Sequence, residues 1–276
     1  MVVRAGRFYA ILVVGVLAGA VALRIADPFF LQALRFIAFD SYQRVQPLPY
    51  NPDYPVRVVD IDEESLARIG QWPWPRTTIA ELVHKLVGQQ AATIGFDILF
   101  SEPDQTSPDI VLARLGPDIA ALVADRIPAG ESHDAAFAAA IASAPTVLAA
   151  ALTNRAADGP ALPVKAGFAV AGDDPASFVA TLSAATSNLP ALNQAAVGIG
   201  PINWIPDRDQ VIRRMPLVYR EAGQYVPALA VEALRVAQGA SSYILKSSNA
   251  SGETAFGLTT GLNHVKVGDL EIPTDA

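Results

Sequence analysis

Between Val56 and Phe100 the chain carries two apolar runs rich in β-branched residues, "VRVVDID" at 56–62 and "ATIGFDILF" at 92–100, with an amphipathic helix between them. The first run reads as a strand and the second as a buried strand. Asp62 is placed to cap a short helix over about Glu63–Ile69, which Gly70 ends. Thr78 and Glu81 then form a capping box, and Ile79, Leu82, Val83, Leu86 and Val87 share one face of the following helix. Strand, helix and strand in this order imply a right-handed βαβ crossover and two parallel strands. The rest of the chain fits round such a unit. Helices are expected over 109–125, 132–143 and 227–238, and a strand over 146–152. Residues 153–190 read as loops. Hairpins are expected at 197–205 with 211–219, turning at Pro206–Asp209, and at 264–273, turning at Gly268-Asp269. The fold class is therefore α/β, a mixed β-sheet with flanking helices and a βαβ unit.

A second constraint lies at the N-terminus. Phe8–Leu23 holds sixteen residues without a charge, and Arg24 can snorkel while Ile25 and Ala26 extend the run toward the twenty or so that span hydrocarbon. Ala18-Gly19-Ala20 has the small residues of a signal-peptide cleavage site, but the run is long for a signal core, and an uncleaved transmembrane anchor is the favoured reading. Arg4 and Arg7 place the N-terminus in the cytoplasm and so direct residues 27–276 to the outside. The expected organisation is a cytoplasmic tip and transmembrane helix at 1–26, a lead-in helix and proline-rich connector at 27–55, and an extracytoplasmic domain at 56–276. In the lead-in helix Asp27 caps and Pro28 takes the first position. The net charge is −7, and removing Arg4, Arg7 and Arg24 leaves 17 basic against 27 acidic residues, so the body stands at −10. That argues against a nucleic-acid partner and suits a membrane-tethered domain. The absence of cysteine excludes disulfides, thiolate zinc sites and cysteine nucleophiles.

The crossover also defines a candidate site. Asp60 and Asp62 close the first expected strand, and Asp97, Glu102 and Asp104 lie at or beyond the end of the second. Parallel strands would gather these carboxylates at one sheet edge, where open α/β sheets bind ligands, and clustered oxygens could hold a divalent cation. Arg76 is expected to face Asp60, Asp62 and Asp97 and to pair with at least one of them. The plainer alternative is that Asp62 caps a helix, Arg76 makes a structural ion pair and the remaining acids are solvated. No histidine has a metal-spaced partner, and no metal site is assigned. Just before Arg76 stands "GQWPWP", in which Pro73 and Pro75 force Trp72 and Trp74 into extended geometry. This is a rigid plug with one indole in the core, or an aromatic wall beside the acidic edge. "VRVVDID" also resembles the opening strand of haloacid dehalogenase-type phosphotransferases, which would make Asp60 a nucleophile and Asp62 a general acid. Glu63-Glu64 stands where that family has Gly-Thr.

A more specific likeness takes in D-x-x-S-L from Asp62, G-x-W-P-W-P-R from Gly70, the amphipathic helix, and "GFDILFSEPD" at 95–104. In that order and spacing they resemble the second type of CHASE domain, an extracytoplasmic sensor of bacterial adenylate cyclases, histidine kinases and related signalling proteins. "FDSYQRV" at 39–45 resembles its lead-in helix, and "PDRDQVIRRMPLVY" followed by "VPALAVEAL" its second block, with Gln210 where the family usually has glycine. The resemblance covers about residues 30–276. It implies a periplasmic sensory domain anchored in the bacterial inner membrane, the input module of an adenylate or guanylate cyclase or a histidine kinase. In that family further strands, return helices and an output domain come next, so the chain would end inside the sensor. The resemblance implies no catalysis by this chain, no resident cofactor, and an undefined small-molecule or ionic stimulus. A homodimer is expected because the cyclase and kinase outputs act as dimers. The alternative is an anchored metal-dependent phosphohydrolase using Asp60 and Asp62.

Overall fold

A computed structural model describes residues 2–123, 132–155, 161–250 and 261–274. It divides into two units, Met1–Asp60 and Ile61–Ala276. The first unit holds two helices, α1 (Val2–Ala26) and α2 (Phe29–Val45). Within α1, Tyr9–Ala26 is long and apolar enough to cross a membrane, with a mean hydropathy of 2.2. Pro28 takes the position before α2, and Asp27, at a φ of 38°, turns its carboxylate to the side chains of Gln32 and Arg35 instead of to the helix N–H groups. Residues 46–62 have no helix or strand.

The expected strand at 56–62 is therefore not formed. Val56, Val58 and Val59 are exposed and have no ladder partner. β-propensity expresses itself only where a neighbouring strand accepts the backbone, and here none does. The crossover is built further along the chain.

In the second unit, α3 (Glu63–Ile69) and α4 (Arg76–Gly88) lead to β1 (Ile94–Phe96), the short ordered part of the expected 92–100 strand. Two short helices, α5 (Pro108–Arg114) and α6 (Pro117–Val123), replace one long helix over 109–125, broken at Leu115-Gly116 before Pro117. Residues 124–125 of that expectation lie outside the described residues. Then come α7 (His133–Ala142) and β2 (Thr146–Thr153), whose first three residues pair in parallel with β1. The parallel pair is thus β1 and β2, joined through α5–α7.

The stretch read as loops contains β3 (Gly167–Ala171), β4 (Ala180–Leu182) and β5 (Ala184–Thr186). Their alanines and short lengths hide the alternation that marks longer strands. After α8 (Pro190–Ala195), β6 (Gly198–Pro201) pairs in parallel with β2. It does not form the expected hairpin with 211–219. The hairpin lies later, between β7 (Val218–Glu221) and β8 (Gln224–Pro227), turning at Ala222-Gly223 where both φ angles are positive. Then α9 (Leu229–Ala237), β9 (Ser242–Ser247), β10 (Leu262–Val267) and β11 (Leu270–Pro273) complete the described elements. β10 and β11 form the second expected hairpin, with Gly268 at a φ of 54°. The mixed α/β architecture expected from the sequence is present, distributed over three sheets: β1-β2-β5 with β6 beside β2, β11-β10-β9-β3, and β4-β7-β8.

Two apolar clusters hold this unit. One joins Ile79, Ala80 and Val83 of α4 with Ile94, Phe96, Phe100, Leu148 and the α7 residues Phe137, Ala140 and Ile141. Its centre is an edge-to-face set of Phe96, Phe100 and Phe137, with centroids 5.0–5.8 Å apart. The other joins Ala150, Leu152, Ile199, Tyr219, Val231, Tyr243, Leu245, Val265 and Val267. The second cluster contains a buried polar triad. Glu232, fully enclosed, takes Arg235 Nε at 2.8 Å and Nη2 at 2.6 Å, and also accepts from the Tyr243 hydroxyl. Gly198 leaves the room for it, since a Cβ there would overlap the Glu232 side chain.

Candidate functional site

The loop leaving β1 folds back over the start of α4 and places Asp104 at the centre of a buried polar cluster. The Asp104 side chain is 4% exposed. Its Oδ2 accepts from the Arg76 backbone N–H at 2.7 Å and lies 3.0 Å from His133 Nδ1. Its Oδ1 accepts from the Thr106 N–H at 2.8 Å and the Thr106 hydroxyl at 2.7 Å. The Asp104 N–H donates to Asp134 Oδ2 at 3.0 Å. A carboxylate from a distant loop thus serves the first N–H of α4 and faces the positive end of the helix. The helix accordingly begins at Arg76, with Pro75 before it, two residues ahead of the capping box expected at Thr78.

The Arg76 side chain is buried alongside. Its guanidinium stacks 4.5 Å over the Phe100 ring, donates from Nη2 to the Glu102 carbonyl at 3.3 Å, and brings Nε within 3.5 Å of Asp134 Oδ1. Burial pulls the guanidinium below the usual arginine value, while Asp134 and Asp104 oppose that pull. Burial pushes the Asp104 carboxyl up, but the hydrogen bonds from Arg76, Thr106 and His133 together outweigh it, and the net direction is downward. The arrangement is an ion-pair network that ties α4, the β1 exit loop and the start of α7 together, with Arg76 Nε and Asp134 Oδ1 facing each other by charge and not through a hydrogen bond.

Trp72 and Trp74 close one side of the same region. Trp74 is buried and donates from Nε1 to the Gly70 carbonyl at 2.7 Å. Trp72, half-buried, meets it edge-to-face with centroids 5.7 Å apart and packs on the α4–α7 cluster. The Trp72–Pro73 peptide bond is cis. Trp74 is the core indole that the plug reading of "WPWP" expects, while half-buried Trp72 is compatible with either reading.

Of the candidate residues, the structure brings together Arg76, Asp104, Trp72 and Trp74, with Glu102 contributing only its backbone carbonyl. Asp62 is exposed and caps α3, accepting from the Ser65 N–H at 2.8 Å and its hydroxyl at 2.7 Å. Asp97 is exposed on the strand exit and takes no part in the network. Asp60 is exposed, in the segment without a strand. The common carboxylate edge expected from a 56–62 strand therefore loses its basis, and the partners of Arg76 are Asp134 and Asp104. His133 and Asp134 complete the cluster, and sequence reasoning missed both. Their only local signal is "SHD" ahead of an alanine-rich helix, which reads as a helix start. Among the described residues no group of three acidic or histidine side chains could hold a metal ion. The general acid of the phosphohydrolase alternative, Asp62, is engaged as a helix cap.

No curated protein and no solved structure matches the chain. The model of one family, the CHASE2 domain, matches residues 10–276, which include every residue of the Arg76–Asp104 cluster and the tryptophan plug. The chain belongs to the CHASE2 family, extracellular sensor domains found in signalling proteins.

Proposed function

We propose that this chain is the periplasmic input module of a membrane-anchored signalling protein whose output is an adenylate or guanylate cyclase or a histidine kinase. Membership of a sensor-domain family supports it, together with the apolar helix at Tyr9–Ala26 ahead of an acidic body. In this reading α1 anchors the chain in the bacterial inner membrane, and Arg4 and Arg7 hold the N-terminus in the cytoplasm. The chain carries no catalysis of its own and acts as a homodimer on a small-molecule or ionic stimulus. The Arg76–Asp104–Asp134 network is the organiser of the sensor fold, fixing how the β1 exit loop sits against α4 and α7.

The single observation that carries the anchoring is the charge-free span flanked by arginines on its N-terminal side only until Arg24. Reporter fusions test it. Alkaline phosphatase joined after residue 276 is expected to be active and β-galactosidase at the same point inactive. The reverse pattern overturns the topology.

A further inference from the structure

Residues 202–217, between β6 and β7, form a long segment without helix or strand that nevertheless is firmly held. At its start the Ile202 N–H donates to the Ala150 carbonyl at 3.0 Å. The Asn203 side chain then takes the Leu152 N–H at 2.6 Å and gives to the Leu152 carbonyl at 2.8 Å, prolonging the β6 ladder by one amide. The Tyr219 hydroxyl donates to the Asn203 carbonyl. At the tip the Asp207 N–H reaches the Val211 carbonyl at 3.0 Å, and Gln210 adopts a φ of 65°. Arg213, whose side chain is 7% exposed, closes the turn on Asp207 at 3.1 Å and Asp209 at 2.8 Å.

What this pinned loop presents is apolar. Trp204 is 60% exposed, and Ile205, Val211, Ile212 and Met215 are also exposed. Scattered surface hydrophobes are ordinary, but five within twelve residues of one pinned loop are the kind of concentration that marks an interaction surface. The loop's charge differs from that of its domain. Arg208, Arg213 and Arg214 against Asp207 and Asp209 give it a formal +1, on a body of −10. An anionic surface repels the body at large and attracts this part. An indole, branched aliphatics and arginines are the residues that settle at a bilayer's headgroup level.

From these observations we infer that the Trp204–Met215 loop docks on the surface of an anionic phospholipid bilayer, the occupant that fits both its apolar side chains and its charge. The inference rests on the anchoring by α1 in the proposed function. Tethering makes it reachable: the seventeen residues 46–62 lack helix and strand, and at about 3.3–3.6 Å each they span up to about 55–60 Å. A tether also raises the local concentration of the bilayer, so shallow and individually weak insertion suffices. The contact gives the sensor a second point on the membrane and so fixes its orientation there.

The full chain, reconstituted in phosphatidylcholine–phosphatidylglycerol vesicles with bromine on the upper acyl chain, tests this through its three tryptophans. The expected result is a loss of emission in brominated vesicles that is largely absent from Trp204→Phe, whose remaining emission comes from the plug. Replacing phosphatidylglycerol by phosphatidylcholine should reduce that loss. Trp204 emission indifferent to bromine overturns the inference. In that event accessibility to acrylamide means a loop free in water, and protection means a protein contact such as a second copy. Flotation of the same vesicles separates the two proposals. A chain that does not float refutes the anchoring and the inference with it, while one that floats with Trp204 unquenched refutes the docking alone.

Discussion

Replacing Asp104 by asparagine keeps the shape of the side chain and removes its charge and one acceptor. In the native cluster one oxygen serves the Arg76 N–H and faces His133, and the other serves both donors of Thr106. Asparagine offers a single oxygen. If that oxygen serves Thr106, an amide NH2 meets the Arg76 N–H, and if the amide flips, the Thr106 donors lose their acceptor. The first setting orphans an enclosed backbone donor and the second a part-buried one, at about 1–3 kcal/mol. Removing the negative charge from the first turn of α4 costs a further ~0.3–1 kcal/mol. Asp104→Asn is therefore expected to destabilise the fold by about 1–4 kcal/mol, although it is nearly isosteric. The measurement is urea unfolding of the full chain in detergent micelles, followed by tryptophan emission. Acid supplies the control. The folded carboxyl titrates below its ordinary 3.8, so its stabilisation is complete above that value and is lost as pH falls through the folded value. The gap between wild type and variant should thus be full at neutral pH and shrink below about pH 4. Equal unfolding midpoints at neutral pH, or a gap that stays constant into acid, would refute the reasoning.

Two further substitutions address the two clusters. Trp74→Ala removes a buried indole and its bond to Gly70 and should cost about 3–5 kcal/mol in the same unfolding experiment, against a smaller loss for half-buried Trp72→Ala; if neither moves the midpoint, the segment is not a plug. Glu232→Ala strands the Arg235 guanidinium in the interior and should cost about 3–5 kcal/mol. Glu232→Gln, which keeps an acceptor for Tyr243, should recover part of that loss in thermal unfolding.

Features set within a few residues were readable from the sequence. Asp62 caps α3 and Gly70 ends it at a φ of 118°, as the local pattern demands. The 264–273 hairpin and the 146–152 strand stand where alternation and turn residues place them. Features set by remote partners were not. "VRVVDID" has the composition of a strand but no ladder to join, whereas alanine-rich β4 and β5 lack the composition and are strands because β7 and β2 accept them. The start of α4 moved because its anion comes from a residue 28 positions later. Arg76 pairs with none of Asp60, Asp62 and Asp97, the acids expected to meet it; Asp134 reaches it through the packing of α7 on α4, which no local spacing encodes.

β2 carries Leu148 in the α4–α7 cluster and Ala150 and Leu152 in the cluster beneath α9. Successive same-side residues of a strand are about 6.5 Å apart, and its backbone is nearly inextensible along that axis. The strand is therefore a stiff bar shared by two close-packed interiors. Its ladders to β1, β6 and β5 lock its register, so it can shift only together with those neighbours. Resizing the side chain where Leu148 sits is expected to disturb the packing round Leu152 as well, because packed side chains have little slack in which to absorb a misfit.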